Sequence, residues 1–440
     1  MSVRAGSTIL WAAVASALLA GAPSSNRAQG DRPVLTPAAV EALLLEDAPE
    51  TRASEAWVEG ARGGLSSART PPDVTLILGR ADSTDRFSSL SSRDTQAALQ
   101  WDLPAPWHYA ASLRRAGAEV DLALAERTRT VILLRASARR LVGDLLAAQE
   151  RALILSAQRD FLRDLSALTA LRVKAGEGRE FDRLRTLVEL ERMEAEASRA
   201  KAEARGLGEA LARLSGNRLP EGFTLEGRLG IPPDAPETQT AADLAASRNP
   251  DLRLAVSRSL RARQELSLQK TAASPSLFAS AERARDVGTR ATTFSVGLRV
   301  PLWNVNRGGI RTARADFVLA GAEEEAIRRQ VGARVVQTAS FYAAVLASAR
   351  RSAAEALPAA RRAMDLADFS YRQGETSLLD ALDARRALQA AALEDVALRH
   401  ELHGLYLDLD VLTGGALAPP WAPEAHAVPA EGSPRSEKES

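Results

Sequence analysis

The sequence of 440 residues contains no cysteine. A disulfide framework, a cysteine-ligated metal and a lipid attached through an N-terminal cysteine are therefore excluded. Aromatic residues make up only 4% of the chain, and the 57 basic side chains nearly balance the 56 acidic ones. Because no excess of positive charge is available for a basic stripe, no nucleic-acid partner is expected.

Long hydrophobic runs are scarce as well. Residues 1–28 combine Arg4, an apolar stretch from Thr8 to Ala22 and a small residue, Ala28, before a polar segment. This pattern predicts a cleaved signal peptide, with an N-terminal anchor helix as the alternative. Beyond it no stretch approaches the roughly 18 consecutive apolar residues of a membrane-spanning helix. The remaining classes are a soluble periplasmic or extracellular protein and a β-barrel protein of an outer membrane.

The chain repeats itself at a constant offset. The segment around Gly176 and Asp182 aligns with the segment around Gly374 and Asp380, 198 residues later in both cases (374 − 176 and 380 − 182). LSG at 214–216 and LTG at 412–414 keep the same offset. One structural unit therefore occurs twice in tandem. The predicted organisation is a first repeat at 29–215, a linker at 216–239, a second repeat at 240–414 and a disordered tail at 415–440.

Periodicity predicts the same elements in each repeat: a helix, two strands, a long helix and a return helix. Alternating apolar and polar residues predict strands at about 73–82 and 95–103, and again at about 276–285 and 292–300. Three- and four-residue spacing predicts long helices over 106–174 and 305–372, with return helices over 180–214 and 377–412. Pro358 is expected to kink the second long helix. Gly176 and Gly374 are expected to reverse the chain at the helix ends.

Four strands per chain are too few to close a barrel, and open strand edges are not stable in lipid. Three chains would supply twelve strands, enough for a barrel with an aqueous lumen. The predicted fold class is therefore mainly α with a small β part, in which a trimeric twelve-stranded outer-membrane barrel is continued by a long α-helical coiled-coil barrel. Trp101, Trp107 and Trp303 fall near the strand-to-helix junctions, where an interfacial aromatic girdle belongs. Ordinary packing is the alternative for these three side chains.

Two segments carry a family resemblance. YRQGETSLLDALDARRALQAA at 371–391 and VPLWNVNRGGI at 300–310, together with the tandem layout, resemble the TolC-like outer-membrane efflux channels. The second segment is closest in motif to the heavy-metal branch, the CzcC type. The resemblance covers about 40–415 and implies a passive homotrimeric exit duct in the outer membrane, with its helical part in the periplasm. It also implies a periplasmic adaptor, an inner-membrane pump, and heavy-metal cations as the favoured substrate.

The candidate pore residues are Asp380 and Asp383. Three residues apart on a helix, they share one face, so a trimer would stack two rings of carboxylates at the periplasmic entrance. Such rings attract cations, and the resemblance places acidic pore rings at this Asp-x-x-Asp. Solvated helix carboxylates are the alternative.

The resemblance also implies a gate latch and an adaptor contact. Asp182 and Tyr371 match two latch positions, whereas Thr376 stands where a basic residue is expected. The missing cation could be supplied by Arg179, Arg183 or Arg385. Gly176 and Gly374 mark the turns where adaptor hairpins would dock.

Catalysis and cofactor binding are not expected. His400-Glu401-Leu402-His403 is one residue short of the HExxH zinc motif, so it lacks the four-residue spacing by which that motif places two histidines on one metal ion. No nucleophile with a neighbouring base, glycine-rich phosphate loop or catalytic carboxylate pair stands out. The main alternative to a channel is a soluble periplasmic coiled-coil scaffold or adaptor, but such a protein has no need for alternating segments before both long helices.

Overall fold

The computed structural model describes residues 33–417 except 47, 85–90, 221, 287–288, 304 and 374. The predicted signal peptide, Gly374 and residues 418–440 of the predicted tail lie outside the described residues. The elements in chain order are β1 (Val34–Leu35), α1 (Pro37–Leu45), α2 (Pro49–Arg69), β2 (Val74–Thr84), β3 (Ser91–Leu103), α3 (Pro106–Lys174), α4 (Glu180–Leu214), β4 (Thr224–Leu225), α5 (Thr238–Arg248), α6 (Pro250–Thr271), β5 (Ser276–Asp286), β6 (Thr289–Arg299), α7 (Arg307–Arg351), a π-turn (Ser352–Ala356), α8 (Leu357–Gln373) and α9 (Leu378–Leu412).

The prediction of a mainly helical chain with a small β part is confirmed. The larger sheet has four antiparallel strands in the order β2-β3-β5-β6. Each repeat contributes one hairpin, and the two hairpins join where Trp101 of β3 lies opposite Ala279 of β5. The tandem repeat thus becomes one continuous sheet. Within the part of the chain that the structure describes, none of the helices is both long and apolar enough to cross a membrane.

The helices next to the sheet follow the order of the strands. α2 packs on α3, α3 on α6, and α6 on α7, so these four helices form a layer that continues the four strands. Side chains fix the level of the helix ends: Tyr109 donates to the carbonyl of Arg69 at 2.9 Å, and His108 hydrogen-bonds Thr271 at 3.0 Å. The long helices α3 and α7 both start at the sheet and lead away from it.

Glycine ends three helices in the same way. At Gly176 (φ +77°) the helix α3 closes with amide hydrogen bonds from Gly176 to Val173 and from Glu177 to Arg172. Gly216 and Gly414 end α4 and α9 with the same pair of bonds. This left-handed closure favours glycine because a side chain at positive φ is strained. The repeat seen in LSG and LTG is therefore a repeated helix end.

Pro358 does not simply kink one long helix. The helix α7 gives way to the π-turn, in which the amide of Leu357 donates to the carbonyl of Ser352, and Pro358 then falls in the first turn of α8. A proline lacks the N–H that a helix interior needs, but the first turn leaves that donor unused. The second repeat therefore reaches its far end through two helices, whereas α3 is unbroken over 69 residues.

The predicted linker at 216–239 is packed into the molecule. Its strand β4 pairs in parallel with β1, and Phe223 and Leu225 join Val40, Leu145 and Leu211 in one apolar core. At the predicted tail, the amide of Leu417 donates to Asp410 at 2.9 Å. The strands β1 and β4 are too short to show a period in the sequence, and so were not predicted.

Candidate channel surfaces and gate

One face of the four-stranded sheet is apolar and exposed. Strand register places Leu76 opposite Leu99, Leu99 opposite Ala281, and Ala281 opposite Phe294. Directly opposed residues project to the same side of a sheet, so the apolar side chains of all four strands share one face. Phe294 is 80% exposed and Val296 is 82% exposed. A soluble monomer rarely leaves such a contiguous surface uncovered.

The other face of the sheet is polar. The amide of Gln96 donates to Glu282 at 2.7 Å, and Arg299 pairs with Asp102 at 3.3 Å. On this same side the ring of Phe278 lies over Gly297, where a side chain would collide with it. The alternation in the sequence therefore becomes one apolar and one polar face of the sheet.

The three tryptophans lie at the junction between sheet and helices. Trp101 is 37% exposed, and its indole N–H donates to the carbonyl of Pro72 at 3.0 Å. Trp107, in the first turn of α3, is 51% exposed, and Trp303, between β6 and α7, is 95% exposed. None of the three is a buried packing residue.

At the opposite end of the long helices, which we call the tip, Ser377 and Asp380 form a capping box at the start of α9. The amide and the hydroxyl of Ser377 donate to Asp380 at 3.1 and 2.7 Å, and the amide of Asp380 donates back to Ser377 at 3.3 Å. These bonds, first from the hydroxyl and then from the amide, lower the pKa of Asp380 below its ordinary value. Asp380 is exposed, so it is an ionised surface carboxylate that also stabilises the start of the helix.

Asp383 is exposed as well, but it has a cationic neighbour. Arg386 pairs with Asp383 at 3.0 Å and also contacts Glu189 of α4. Part of the negative charge at Asp383 is therefore compensated within the chain. In the first repeat the position equivalent to Asp383 is Arg185 (383 − 198), so only the second repeat carries the Asp-x-x-Asp pair.

The structure gives Tyr371 a partner that the sequence did not indicate. Arg172, the third-last residue of α3, donates to the hydroxyl of Tyr371 at 3.0 Å and lies 5.8 Å from its ring centroid. Among the described residues, Asp182 has neither a side-chain hydrogen bond nor an ion pair. The structure therefore joins Tyr371 to α3 and does not bring it together with Asp182.

Two of the three proposed latch cations, Arg183 and Arg385, are engaged elsewhere, whereas Arg179 is exposed at the start of α4. Arg183 pairs with Glu180 in the first turn of α4. Arg385 stacks 3.4 Å from the ring centroid of Phe161 and pairs with Asp368 of α8 at 3.4 Å. Burial lowers the pKa of Arg385. It holds α8, α9 and α3 together near the tip.

A polar seam between α3 and α9, at mid-length, was missed at the sequence level. Arg399 is almost buried and pairs with Glu150 at 2.7 Å and Asp395 at 2.9 Å. Arg139 is also buried and pairs with Glu41 at 2.8 Å and Asp410 at 3.2 Å. Asp395 and Arg399 are four residues apart, and Arg139 and Glu150, like Arg399 and Asp410, are eleven apart, which is about three helical turns. This spacing on one helix face was the available signal.

The pKa values of the two histidines of the seam are shifted in opposite directions. The carboxylate of Asp144 accepts from the ring of His400 across 2.7 Å and raises the pKa of His400. Burial lowers the pKa of His403 to about 4, and its ring lies against Gly143. Among the residues that the structure describes, no three His, Asp or Glu side chains are grouped so as to hold a metal ion.

The sheet and the long helices that continue it define the fold of an outer-membrane channel. The structure of the outer-membrane channel OprN matches with a TM-score of 0.73 at 20% identity, over 86% of this chain and 90% of that one. The open state of the Neisseria gonorrhoeae MtrE outer membrane channel matches with a TM-score of 0.73 at 17% identity, over 87% and 90%.

Sequence comparison agrees with this fold. The cobalt-zinc-cadmium resistance protein CzcC of Cupriavidus metallidurans is 25% identical over 369 residues, which cover 81% of this chain and 84% of CzcC. The family model described as outer membrane efflux protein matches residues 241–415, the second repeat. The second repeat therefore matches the outer membrane efflux protein family, and the similarity to CzcC and to the solved channels extends over most of the chain.

Proposed function

We propose that three copies of this chain form the outer-membrane exit duct of a tripartite efflux system. The duct passes substrate outward passively, an inner-membrane pump supplies the energy, and a periplasmic adaptor joins the two. The observation that carries this proposal is the amphipathic four-stranded sheet continued by long helices. Its apolar face suits outer-membrane lipid and its polar face suits a water-filled lumen.

The open edges of the sheet support the trimer. Within the described residues, β2 and β6 each pair with a strand on one side only. Unpaired backbone groups are costly in lipid, so a spanning sheet must close on itself. Three sheets of four strands would close a barrel of twelve, with Trp101, Trp107 and Trp303 at its lower rim as the interfacial girdle.

We assign the gate to the tip. Asp380 and Asp383 would form two carboxylate rings at the periplasmic entrance and select for cations. Tyr371 would latch the closed state, with Arg172 as its cation. Asp182, which has no side-chain partner among the described residues, is available to bind a group from a neighbouring helix when the tips assemble. The turns at Gly176 and Gly374 would receive the adaptor.

Divalent metal cations are the substrate class that we favour. The support is the name of the 25% identical relative CzcC, a cobalt-zinc-cadmium resistance protein, together with the acidic entrance. The test is growth of a strain that lacks this chain on rising concentrations of cobalt, zinc and cadmium, and of dyes and detergents. Metal sensitivity alone would support the assignment, whereas sensitivity to dyes alone would contradict it.

The duct itself is tested by imaging detergent-extracted protein as single particles. We expect a three-fold tube longer than 100 Å, since α3 alone, at about 1.5 Å per residue, is on the order of 100 Å long. A short or monomeric particle would overturn the duct and favour a soluble coiled-coil scaffold or adaptor.

The entrance rings are tested separately in planar bilayers. The double change Asp380→Ala and Asp383→Ala should weaken cation selectivity and block by multivalent cations. Glu401→Ala, an exposed carboxylate of α9 far from the tip, is the matched control and should leave both unchanged. If wild type, the double variant and Glu401→Ala have the same cation selectivity, the carboxylate rings do not determine it. That result would not contradict the proposed duct.

A further inference from the structure

The helix α7 has an apolar face that nothing in the described chain covers. Its buried side, which includes Ala313, packs on α6. The opposite side carries Val318, 64% exposed, and Leu319, 59% exposed. At about 100° per residue, the exposed alanines 315, 322 and 326 share this side. We call this surface the α7 face.

The helix α2 offers a surface of complementary shape. Val58 and Ala61 point at α3, and the exposed remainder of the helix divides into two flanks. One flank is charged and carries Glu55, Glu59 and Arg62. The other, which we call the α2 flank, carries only uncharged and mostly small residues: Ala53, Ala56, Trp57, Gly60, Gly64 and Ser67. A Cβ atom added at Gly60 or Gly64 would meet nothing within 4 Å in the single chain.

The two surfaces lie at the same level below the sheet. Tyr109 ties the end of α2 to the start of α3, His108 ties α3 to the end of α6, and Asn306 donates to Gln269 of α6 at 2.9 Å at the start of α7. At about 1.5 Å per residue, Gly60 lies about 14 Å from Arg69, and Val318 lies about 17 Å from Arg307. Large side chains of α7 thus stand level with a glycine of α2.

The two surfaces are at opposite ends of one layer, so they cannot meet within one chain. α2 lies under the edge strand β2, and α7 lies under the other edge strand β6. Because neighbouring strands alternate in direction, β6 of one copy and β2 of the next would be antiparallel, as are the strands within the sheet. A head-to-tail contact of this kind closes into a ring when repeated.

We infer that the α7 face of one copy packs on the α2 flank of the next, with Val318 and Leu319 seated over Gly60 and Gly64. This inference rests on the proposed trimer and adds the surface that seals it below the membrane. The glycines allow the two helices to approach closely, and the absence of charge on the flank removes the cost of burying it.

Cross-linking tests this contact directly, since the chain has no cysteine of its own. Gly60→Cys is combined in turn with Ala315→Cys, Val318→Cys, Leu319→Cys and Ala322→Cys, and the particles are oxidised. We expect at least one pair to give a covalent trimer on a denaturing gel, since a disulfide needs Cα atoms about 4.4–6.8 Å apart. Ser66→Cys, on the charged flank, replaces Gly60→Cys as the matched control and should cross-link much less.

A second variant tests whether a neighbouring copy covers the α2 flank in the trimer. Gly60→Leu has free space in the single chain and favours helix, so the helical circular dichroism should be kept while most of the trimer is lost. Ser66→Leu should keep both. The inference would be overturned if Gly60→Leu assembles into a normal trimer and Gly60→Cys cross-links no better than Ser66→Cys. A wild-type particle that is not trimeric would overturn the proposed duct as well.

Discussion

The seam at mid-length and the tip hold the same helices by different means. At the seam, Arg399 keeps a side-chain exposure of 6% and meets two carboxylates. At the tip, Arg386 is 40% exposed and Asp383 is 56% exposed. A buried charge that loses its partner is costly, whereas an exposed pair is weak and screened by salt. The buried ion pairs of the seam therefore hold α3 and α9 together permanently. The exposed pairs of the tip can break and form again at a small cost in free energy.

The strongest test of this difference is Arg399→Met. Glu150 and Asp395 would lose their cation in a site with little water, so we expect a loss of about 3–5 kcal/mol of stability. Arg386→Met at the tip is the matched change and should cost no more than about 1 kcal/mol. Thermal unfolding followed by circular dichroism in detergent measures both. Similar losses at the two sites would contradict the distinction between seam and tip.

Gly143→Ala should have the next largest effect. The added Cβ would lie 2.5 Å from Nε2 of His403, whose buried ring has little room to move. Overpacking of this kind costs about 1–3 kcal/mol, although alanine favours helix. Gly206→Ala in α4 is the control, because its Cβ meets nothing within 4 Å and the change should stabilise slightly. If Gly143→Ala and Gly206→Ala have the same effect on thermal stability, the seam is not tightly packed around His403.

Ser377→Ala should lower stability less and in a pH-dependent way. The variant loses the helix cap and the bonds that depress the pKa of Asp380. Since the folded pKa of Asp380 lies below its unfolded value, its contribution is present above about pH 4 and is lost as the pH falls through the folded pKa. The difference in stability between wild type and variant should therefore shrink in acid. A difference that stays constant down to pH 2 would assign the effect to the serine alone.

Tyr371→Phe should change stability least and gating most. It removes one exposed hydrogen bond to Arg172 and keeps the ring, so the expected loss is within about 1 kcal/mol. If that bond holds the entrance closed, single-channel recordings should show more frequent opening than in wild type. Tyr109→Phe, which removes a similar bond at the sheet end, should not change gating. An identical opening frequency in all three proteins would leave Tyr371 without a role in the latch.

Much of the fold could be predicted because its signals lie within short segments of the sequence. Alternation in β6 from Thr293 to Arg299 reports the two faces of the sheet, and the glycines 176, 216 and 414 report helix ends through their own backbone angles. These signals depend on near neighbours in the chain and on the solvent that each face meets. They do not depend on which helix packs on which.

The partners at the seam and the tip could not be predicted for the opposite reason. Arg399 meets Glu150, 249 residues away, and Arg172 meets Tyr371, 199 residues away. Such pairs are decided by how α3 rotates against α8 and α9, which a helical period does not report. The sequence indicated basic residues near the second turn and at the start of α4 as partners of the latch, whereas the cation that contacts Tyr371 lies at the end of α3. Thr376, which replaces the expected cation, instead buries its hydroxyl without a hydrogen-bond partner among the described residues.

The π-turn at Ser352–Ala356 sets the angular phase of everything beyond it. A π-turn is an α-helix with one residue too many, and one residue turns the following helix by about 100°. Deleting a single residue there would rotate Asp368 and Tyr371 together away from Arg385 and Arg172, and would place Pro358 in the interior of an α-helix. The alignment of the tip is thus encoded by one extra residue in the middle of the second repeat, far from the contacts that it aligns.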